Sequence, residues 1–184
     1  MSYDLSFSAH ISKIVSKSSS KIGLMYRAFS SRDLVFMINF FRTHVRPILE
    51  YNCEVWSPFF LQDIDRLENV QRRFTKRIKG LYNSTYSERL HMCMLEPLEL
   101  RRLKKDLILT HRIFYKTIHL NFDDFFTFSH LSQTRGHSLK LYPKVSKTTR
   151  AHFFFSNRVV NIWNSLPQKV VSTMNLNSFK KLLN

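Results

Sequence analysis

Apolar and small side chains recur at helical spacing in the first part of the chain, which predicts amphipathic helices. A second helix is predicted to start after Ser31, a good N-cap residue, and to run through Val45 until Pro47 kinks or ends it. The stripe of the first helix consists of Ile11, Val15, Ser18, Ile22, Met25 and Phe29.

Two later segments have the clearest pattern, with an apolar stripe on one side and basic residues on the other. In the segment from Asp63 to Lys79, the stripe is Ile64, Leu67, Gln71, Phe74 and Ile78, and the opposite side carries Arg66, Arg72, Arg73, Lys76, Arg77 and Lys79. In the segment from Pro97 to Leu120, the stripe is Leu100, Leu103, Leu107, His111, Phe114 and Ile118, and the opposite side carries Arg101, Arg102, Lys105, Arg112 and Lys116.

Helical periodicity is lost between residues 121 and 149, where turn-forming residues predict a loop-rich connector. One short strand around residues 139–142 is left open as an alternative. A dense apolar helix is predicted from Phe153 to Leu166, and a short terminal helix from Ser178 to Leu183. With only 3 Gly and 43% hydrophobic residues, the chain is expected to be mainly α.

The chain is strongly basic, with 29 Lys and Arg against 13 Asp and Glu and a net charge of +16. No carboxylate side chain follows Asp124, so the basic character extends through the last third of the chain. Such a balance raises the affinity for polyanions, whether a nucleic acid or an anionic membrane surface. A surface helix on a membrane is the less favoured of the two, because the apolar stripes are narrow enough to be used up by packing inside the protein.

The residue pattern does not favour catalysis or metal binding. Cys53 and Cys93 lack the paired spacing of a zinc site, and a hydrogen-bonded core position is favoured for His111. Asp123 and Asp124 lack the aromatic residue, the strand pair and the third carboxylate of a magnesium site, so we interpret them as a solvated pair in a loop. Glycine-rich phosphate loops and nucleophile motifs are not found.

The sequence pattern favours neither a signal peptide nor a membrane-spanning segment. Residues 1–20 are rich in Ser and Lys, unlike a signal peptide, and the apolar stretch Leu34–Phe41 is far shorter than the roughly 20 residues of a membrane span. A reduced, intracellular, soluble protein without membrane contact is therefore expected.

Six sequence blocks, in this order and spacing, form a specific combination. They are HVRPILEYNCEVWSP (44–58), DIDRLENVQRRFTKRI (63–78), YSERL (86–90), PLELRRLKKDLI (97–108), TRGH (134–137) and FFSNRVVNIWNSLP (154–167). Over nearly its whole length the chain resembles the region after the palm in jockey-like, LINE-type non-long-terminal-repeat retrotransposon reverse transcriptases.

The resemblance implies a division of the chain and a role for it. Residues 1–9 would be a remnant of the palm edge, and residues 10–120 a thumb-like helical bundle that holds the template–primer duplex. Residues 121–150 would be a loop-rich basic connector and residues 151–184 a smaller helical C-terminal subdomain. The fragment itself would not be an enzyme and would need no cofactor, since magnesium belongs to the missing palm. Implied partners are an RNA–DNA or DNA duplex, the element RNA and that palm, in the nucleus or the cytoplasm.

The candidate site is formed by the basic residues, which would contact phosphates without reading sequence. The candidates are Arg72, Arg73, Lys76, Arg77, Arg101, Arg102, Lys105, Arg135, His137 and Lys140. For Arg135 and His137, phosphate contact and a structural role are equally open. Trp56 and Trp163 are interpreted as core anchors rather than base-stacking platforms. Two alternatives remain: activity as part of a whole polymerase if a palm is encoded in frame upstream, or a decayed or domesticated element fragment.

Overall fold

A computed structural model of the chain describes residues 7–129, 137–144 and 148–183. The fold is mainly α, as predicted, and the β pairing in the described residues is one antiparallel bridge between Phe128 and Leu141. The helices of the first half are α1 (Ser8–Ala28), α2 (Leu34–Phe40), α3 (Arg46–Glu50), α4 (Cys53–Trp56), α5 (Leu61–Lys76), α6 (Tyr86–Met92) and α7 (Leu98–Phe114). Those of the second half are α8 (Phe122–Phe125), α9 (Thr149–His152), α10 (Phe155–Arg158), α11 (Val160–Ser165), α12 (Gln168–Val171) and α13 (Leu176–Leu182).

The chain divides into two compact units, Met1–Arg102 and Leu103–Asn184. This division falls inside α7 and not near residue 120, where the predicted bundle ends. The reason is that α7 supplies residues to two separate cores: Leu98 belongs to the first, and Leu107 and Ile113 belong to the second.

In the first unit, α1 and α5 run in the same direction. At their beginnings the Ser8 hydroxyl donates a hydrogen bond to the Asp63 carboxylate, and near their ends the rings of Tyr26 and Phe74 stack with centroids 6.5 Å apart. The stripe predicted for α5 is confirmed from Leu67 onward, with Leu67, Gln71, Phe74 and Ile78 all buried.

The N-terminus of α2 differs from the prediction by two residues. The N-cap is Asp33, whose carboxylate accepts hydrogen bonds from the backbone N–H groups of Val35 and Phe36 at 3.0 and 3.3 Å. Ser31 is wrong as the N-cap; its hydroxyl accepts a weaker bond from the Asp33 backbone at 3.4 Å. A charged acceptor at this position stabilises the first helical turn more than a distant hydroxyl does.

Between α2 and α3 the backbone forms a π-helical turn, Phe41–Val45. Pro47, which lies at the start of α3, has no backbone N–H and in a regular helix would clash with the carbonyl one turn earlier. The wider turn just before the proline provides room for the ring, so the helical path continues to Glu50 instead of ending. Met37, Phe41, Val45 and Leu49 are all fully buried along this path.

The face predicted for α7 is correct only in its second half. Leu107 and His111 are buried as predicted, but Leu100 is 40% exposed and Arg102 is only 3% exposed. Because the first turns of α7 face the first core, Leu98 and Arg102 form the buried side there. A single apolar stripe along the whole of α7 was therefore the wrong prediction, because residues of this helix pack into two different cores.

The second unit packs its short helices around Trp163, which is fully buried and whose indole N–H donates to the carbonyl of Leu139 at 3.1 Å. The dense apolar helix predicted for residues 153–166 is divided into α10 and α11 at Val159, and the predicted terminal helix is present as α13. Trp56, 4% exposed in the first unit, and Trp163 are thus both core residues, as predicted.

A buried ion pair joins α7 and α10 in the second unit. The guanidinium of Arg158 donates two hydrogen bonds to the Asp106 carboxylate, Nε to Oδ2 and Nη2 to Oδ1, both at 2.8 Å. Their side chains are only 16% and 5% exposed, so both charges are largely removed from water. The pair fixes α7 relative to α10 within this unit.

His111 is a core histidine, and we expect it to make the second unit acid-sensitive. Its Nε2 lies 2.7 Å from the carbonyl oxygen of Thr173, and its buried Nδ1 has no hydrogen-bond partner among the residues that the structure describes. Burial lowers the pKa of His111 below its ordinary value. As the pH falls below about 6.5, the unfolded chain therefore takes up a proton that the folded unit resists. The stability contributed by neutral His111 is present above that pH and declines below it, by no more than about 1.4 kcal/mol per pH unit.

Denaturant unfolding of the Trp56→Phe chain, in which Trp163 is the remaining tryptophan, measures this dependence for the second unit. The variant His111→Phe should keep the ring packing against Phe179, whose centroid is 4.2 Å away, and show a weaker decline between pH 7 and pH 5. An identical decline in both proteins would contradict the assignment.

Candidate nucleic-acid interface

Basic side chains are concentrated at the C-terminal end of α5. Arg73, Lys76 and Arg77 are exposed and Arg72 is half-buried. Their exposure follows from the helical period, because Phe74 and Ile78 on the opposite side point into the core. The end of a helix carries partial negative charge, which favours cations at this place. We call Arg72, Arg73, Lys76 and Arg77 the α5 cluster.

Three members of the α5 cluster lie over tyrosine rings. The distance from cation to ring centroid is 5.0 Å for Arg72 over Tyr86, 5.1 Å for Lys76 over Tyr82 and 4.9 Å for Arg77 over Tyr26. A ring attracts a cation through its quadrupole and carries no net charge. The tyrosines therefore orient the side chains and leave the positive charge of the cluster uncompensated.

Within the described residues, no member of the α5 cluster forms an ion pair. Arg66, nearer the start of the same helix, pairs with Asp63 at 3.4 Å. The acidic residue closest in sequence to the cluster, Glu68, is buried and uses its carboxylate for hydrogen bonds inside the core. The two ends of α5 thus differ, with paired charge at the beginning and unpaired positive charge at the end.

The ring of Tyr26 is contacted by a second guanidinium, that of Arg32, at 4.6 Å. Arg32 also donates hydrogen bonds to the backbone carbonyl groups of Tyr26, Phe29 and Ser31, at 3.2, 2.6 and 2.8 Å. These bonds cap the end of α1 and hold Arg32 in place. Burial raises the pKa of Tyr26, while the nearby charges of Arg77 and Arg32 act in the opposite direction, so the phenol is neutral at physiological pH.

A buried polar network supports the cluster from below. The hydroxyl of Tyr86 donates to Glu68, and the second Glu68 oxygen accepts the backbone N–H of Leu98 at 2.9 Å. The side-chain amide of Gln71 donates to the Tyr86 oxygen and to the Glu96 carbonyl, at 3.1 and 3.0 Å. Burial and the adjacent Glu68 carboxylate raise the pKa of Tyr86. The network ties α5, α6 and the start of α7 together, so Tyr86 is a fixed support for Arg72.

Arg101 and Arg102, which were predicted to lie beside the α5 residues on an open face, are placed otherwise. Arg101 forms an ion pair with Glu50, with nitrogen–oxygen distances of 2.5 and 3.1 Å, and lies 3.6 Å from a carboxylate oxygen of Glu96. Arg102 is buried, and burial lowers its pKa. The prediction that Arg102 is exposed is wrong, whereas Arg101 is half-buried and already paired with carboxylates, and its contact with a phosphate stays a prediction.

The remaining candidates belong to the second unit or to undescribed residues. His137 is 3% exposed, with Nε2 2.9 Å from the Trp163 carbonyl and Nδ1 accepting the Leu139 backbone N–H at 3.2 Å, which resolves its role as structural. Lys105 and Lys140 are half-buried, and their contact with nucleic acid stays a prediction. Arg135 lies outside the described residues.

The three tyrosines and Arg32 were missed at the sequence level. Tyr26 comes from α1, Tyr82 from the loop after α5, and Tyr86 from α6. Their contacts with the α5 cluster depend on the tertiary fold, so the helical periodicity of one segment does not predict them. A signal for α6 does exist: Thr85 and Glu88 have the spacing of a capping box, and both of its hydrogen bonds are formed.

The described residues contain neither a metal-binding group nor a membrane-spanning helix. Among the described residues, no three His, Cys, Asp or Glu side chains come together as a metal-binding group. Asp123 and Asp124 are exposed, on the single helical turn of α8 rather than in a loop. Over the same described ranges, each helix is either too short or too polar to cross a bilayer.

The chain is distantly similar to a known protein. An uncharacterized protein of Caenorhabditis elegans is 24% identical over 112 residues, which cover 59% of this chain and 57% of that protein. The chain thus spans a little over half the length of this relative. No protein-family model matches the chain, and no solved structure matches it.

Proposed function

We propose that the first unit binds duplex nucleic acid through its phosphates at the α5 cluster, without reading sequence. The observation that carries this proposal is the exposure of Arg73, Lys76 and Arg77 with no ion pair to any of them in the described chain. Cations gathered on less than two turns of helix repel one another, and a polyanion removes that repulsion.

Phosphate is the anion that best fits this arrangement. Guanidinium groups present paired N–H donors that match two phosphate oxygens, and each such contact releases counterions condensed on the nucleic acid. Contacts to the backbone position a duplex but carry no sequence information. The tyrosines beneath Arg72, Lys76 and Arg77 reduce the conformational freedom that the side chains would lose on binding.

The proposed biological setting is a reverse transcriptase of the non-long-terminal-repeat retrotransposons. The six sequence blocks described above support it, and the α5 cluster lies within the second of them. In this proposal the first unit holds the template–primer duplex in the manner of a polymerase thumb, and phosphoryl transfer belongs to a palm elsewhere in the parent protein.

The charge-reversal variant Arg73→Glu with Arg77→Glu tests the interface. Wild-type affinity for a blunt RNA–DNA duplex should fall as salt rises, with a slope in log K against log salt of about −0.9 per phosphate contact, the value for duplex DNA. The variant should bind more weakly and lose at least two contacts, which flattens the slope by roughly 1.8. Fluorescence anisotropy over a series of potassium chloride concentrations measures both quantities.

The matched control is Lys13→Glu with Lys17→Glu. These exposed residues have the same spacing and the same change of charge, and they lie on α1 away from its C-terminal end, where Tyr26 meets Arg77. The control should change affinity less than the test variant and leave most of the salt slope. Equal losses of affinity in the two variants would show that binding depends on net charge alone and not on the α5 cluster. A wild-type affinity that does not change with salt would refute phosphate binding.

A further inference from the structure

Tyr82 is an aromatic residue on the surface beside the α5 cluster. It is 69% exposed, whereas Tyr26 and Tyr86, which lie under Arg77 and Arg72, are half-buried. The Lys76 ammonium lies 5.1 Å from the centroid of the Tyr82 ring. Most of the ring is thus open to water, next to exposed positive charge.

The loop that carries Tyr82 is held firmly on both sides. Before it, the backbone N–H of the buried Leu81 donates to the Ile78 carbonyl at 3.1 Å. After it, the Ser84 N–H donates to the Leu81 carbonyl at 3.3 Å, and the Ser84 carbonyl accepts from the buried guanidinium of Arg89 at 2.5 Å. A short loop closed in this way fixes the backbone on both sides of Tyr82, at a place where its side chain is exposed.

The positions of ring and charge suit one kind of partner. A nucleic-acid base has a π-face that stacks on an aromatic side chain, and every nucleotide joins that base to a phosphate. Lys76 belongs to the α5 cluster and contacts Tyr82, so a phosphate held by the cluster has an open aromatic ring beside it. In a duplex the bases are stacked on one another, and only an unpaired base is available to the ring.

We propose that Tyr82 is a stacking platform for an unpaired base next to the duplex held by the α5 cluster. This inference rests on the proposed function and narrows its substrate to a duplex with a single-stranded extension. The cluster supplies most of the affinity, and Tyr82 supplies the preference for the extended form.

The test compares a blunt duplex with the same duplex carrying a single-stranded extension. Wild type should bind the extended probe more tightly, by roughly 5- to 150-fold if one base stacks. Tyr82→Ala should abolish this advantage and weaken blunt-duplex binding only through the loss of the ring that orients Lys76, and Tyr82→Phe should retain the advantage. Tyr51→Ala is the matched control, because Tyr51 is 80% exposed in the same unit and, in the described part of the chain, carries no cation over its ring.

The outcomes separate the two proposals. Equal affinity of wild type for both probes, or a preference that survives in Tyr82→Ala, overturns the stacking role and leaves duplex binding intact. An equal loss of the preference in Tyr51→Ala overturns it as well, since any exposed tyrosine would then serve. Failure of wild type to bind either probe overturns the proposed function and the inference together. A thermal melt by circular dichroism establishes that each variant is folded.

Discussion

Replacing Asp106 by Asn is expected to lower the free energy of unfolding of the second unit by about 3–5 kcal/mol. Asn keeps the size of the side chain and removes its charge, so the Arg158 guanidinium stays in the core with no carboxylate opposite its two donor nitrogens. A charge that has been removed from water and has lost its counter-charge is among the most destabilising changes a core can undergo.

Denaturant unfolding followed by Trp163 fluorescence in the Trp56→Phe chain measures this effect, because Trp163 lies in the same core as Asp106. The control removes both charges together, as Asp106→Leu with Arg158→Met. This double variant should be more stable than Asp106→Asn although it alters more atoms, since no buried charge is left unpaired. If it is the less stable of the two, the pair stabilises the unit through its shape and not through its charges.

The second large effect is expected in the first unit, from Glu68→Ala. The carboxylate of Glu68 accepts hydrogen bonds from the Tyr86 hydroxyl and from the backbone N–H of Leu98, and both donors lose their acceptor in the variant. A buried donor without an acceptor costs about 1–3 kcal/mol, so the total loss is roughly 2–6 kcal/mol. Because Tyr86 supports Arg72, affinity for the blunt duplex should also decrease.

Asp65→Ala is the control for Glu68→Ala. Asp65 is an exposed carboxylate on the same helix, and its removal should change stability by less than about 0.5 kcal/mol. Hydrogen exchange read by mass spectrometry, peptide by peptide, gives the stability of α5, α6 and the start of α7 in each variant. Faster exchange confined to α6 would show that Glu68 anchors one helix only, contrary to the network described above.

The placement of the α5 cluster could be predicted from sequence because it depends on one local quantity. The period of an α-helix assigns Arg73, Lys76 and Arg77 to the side opposite Leu67 and Phe74, and one core covers that apolar side. Neither an alignment nor a distant contact is needed for this step. The mainly α fold and the roles of Trp56 and Trp163 follow from equally local features.

Arg102 and His137 could not be placed in the same way. The burial of Arg102 follows from α7 facing the first core with its first turns and the second core with the remainder, which is a property of the whole fold. His137 is buried through its bond to the carbonyl of Trp163, far away in sequence. The tyrosines beneath the cluster likewise come from three separate segments. Sequence periodicity therefore predicts which cations share one side of a helix, but it does not predict the tyrosines that those cations contact.

The π-helical turn explains why the buried side chains before and after it are spaced by four residues. Met37, Phe41, Val45 and Leu49 follow one another at a constant interval of four residues, which overshoots each α-helical turn by about 40°. In an uninterrupted α-helix this row would wind gradually away from the core. The π-helical turn holds one extra residue and so offsets the accumulated rotation. The four side chains therefore stay on the side of the helix that faces the core. Loss of one residue between Phe41 and Val45 would therefore rotate Leu49 and Glu50 together by about 100°, and carry the partner of Arg101 off its face.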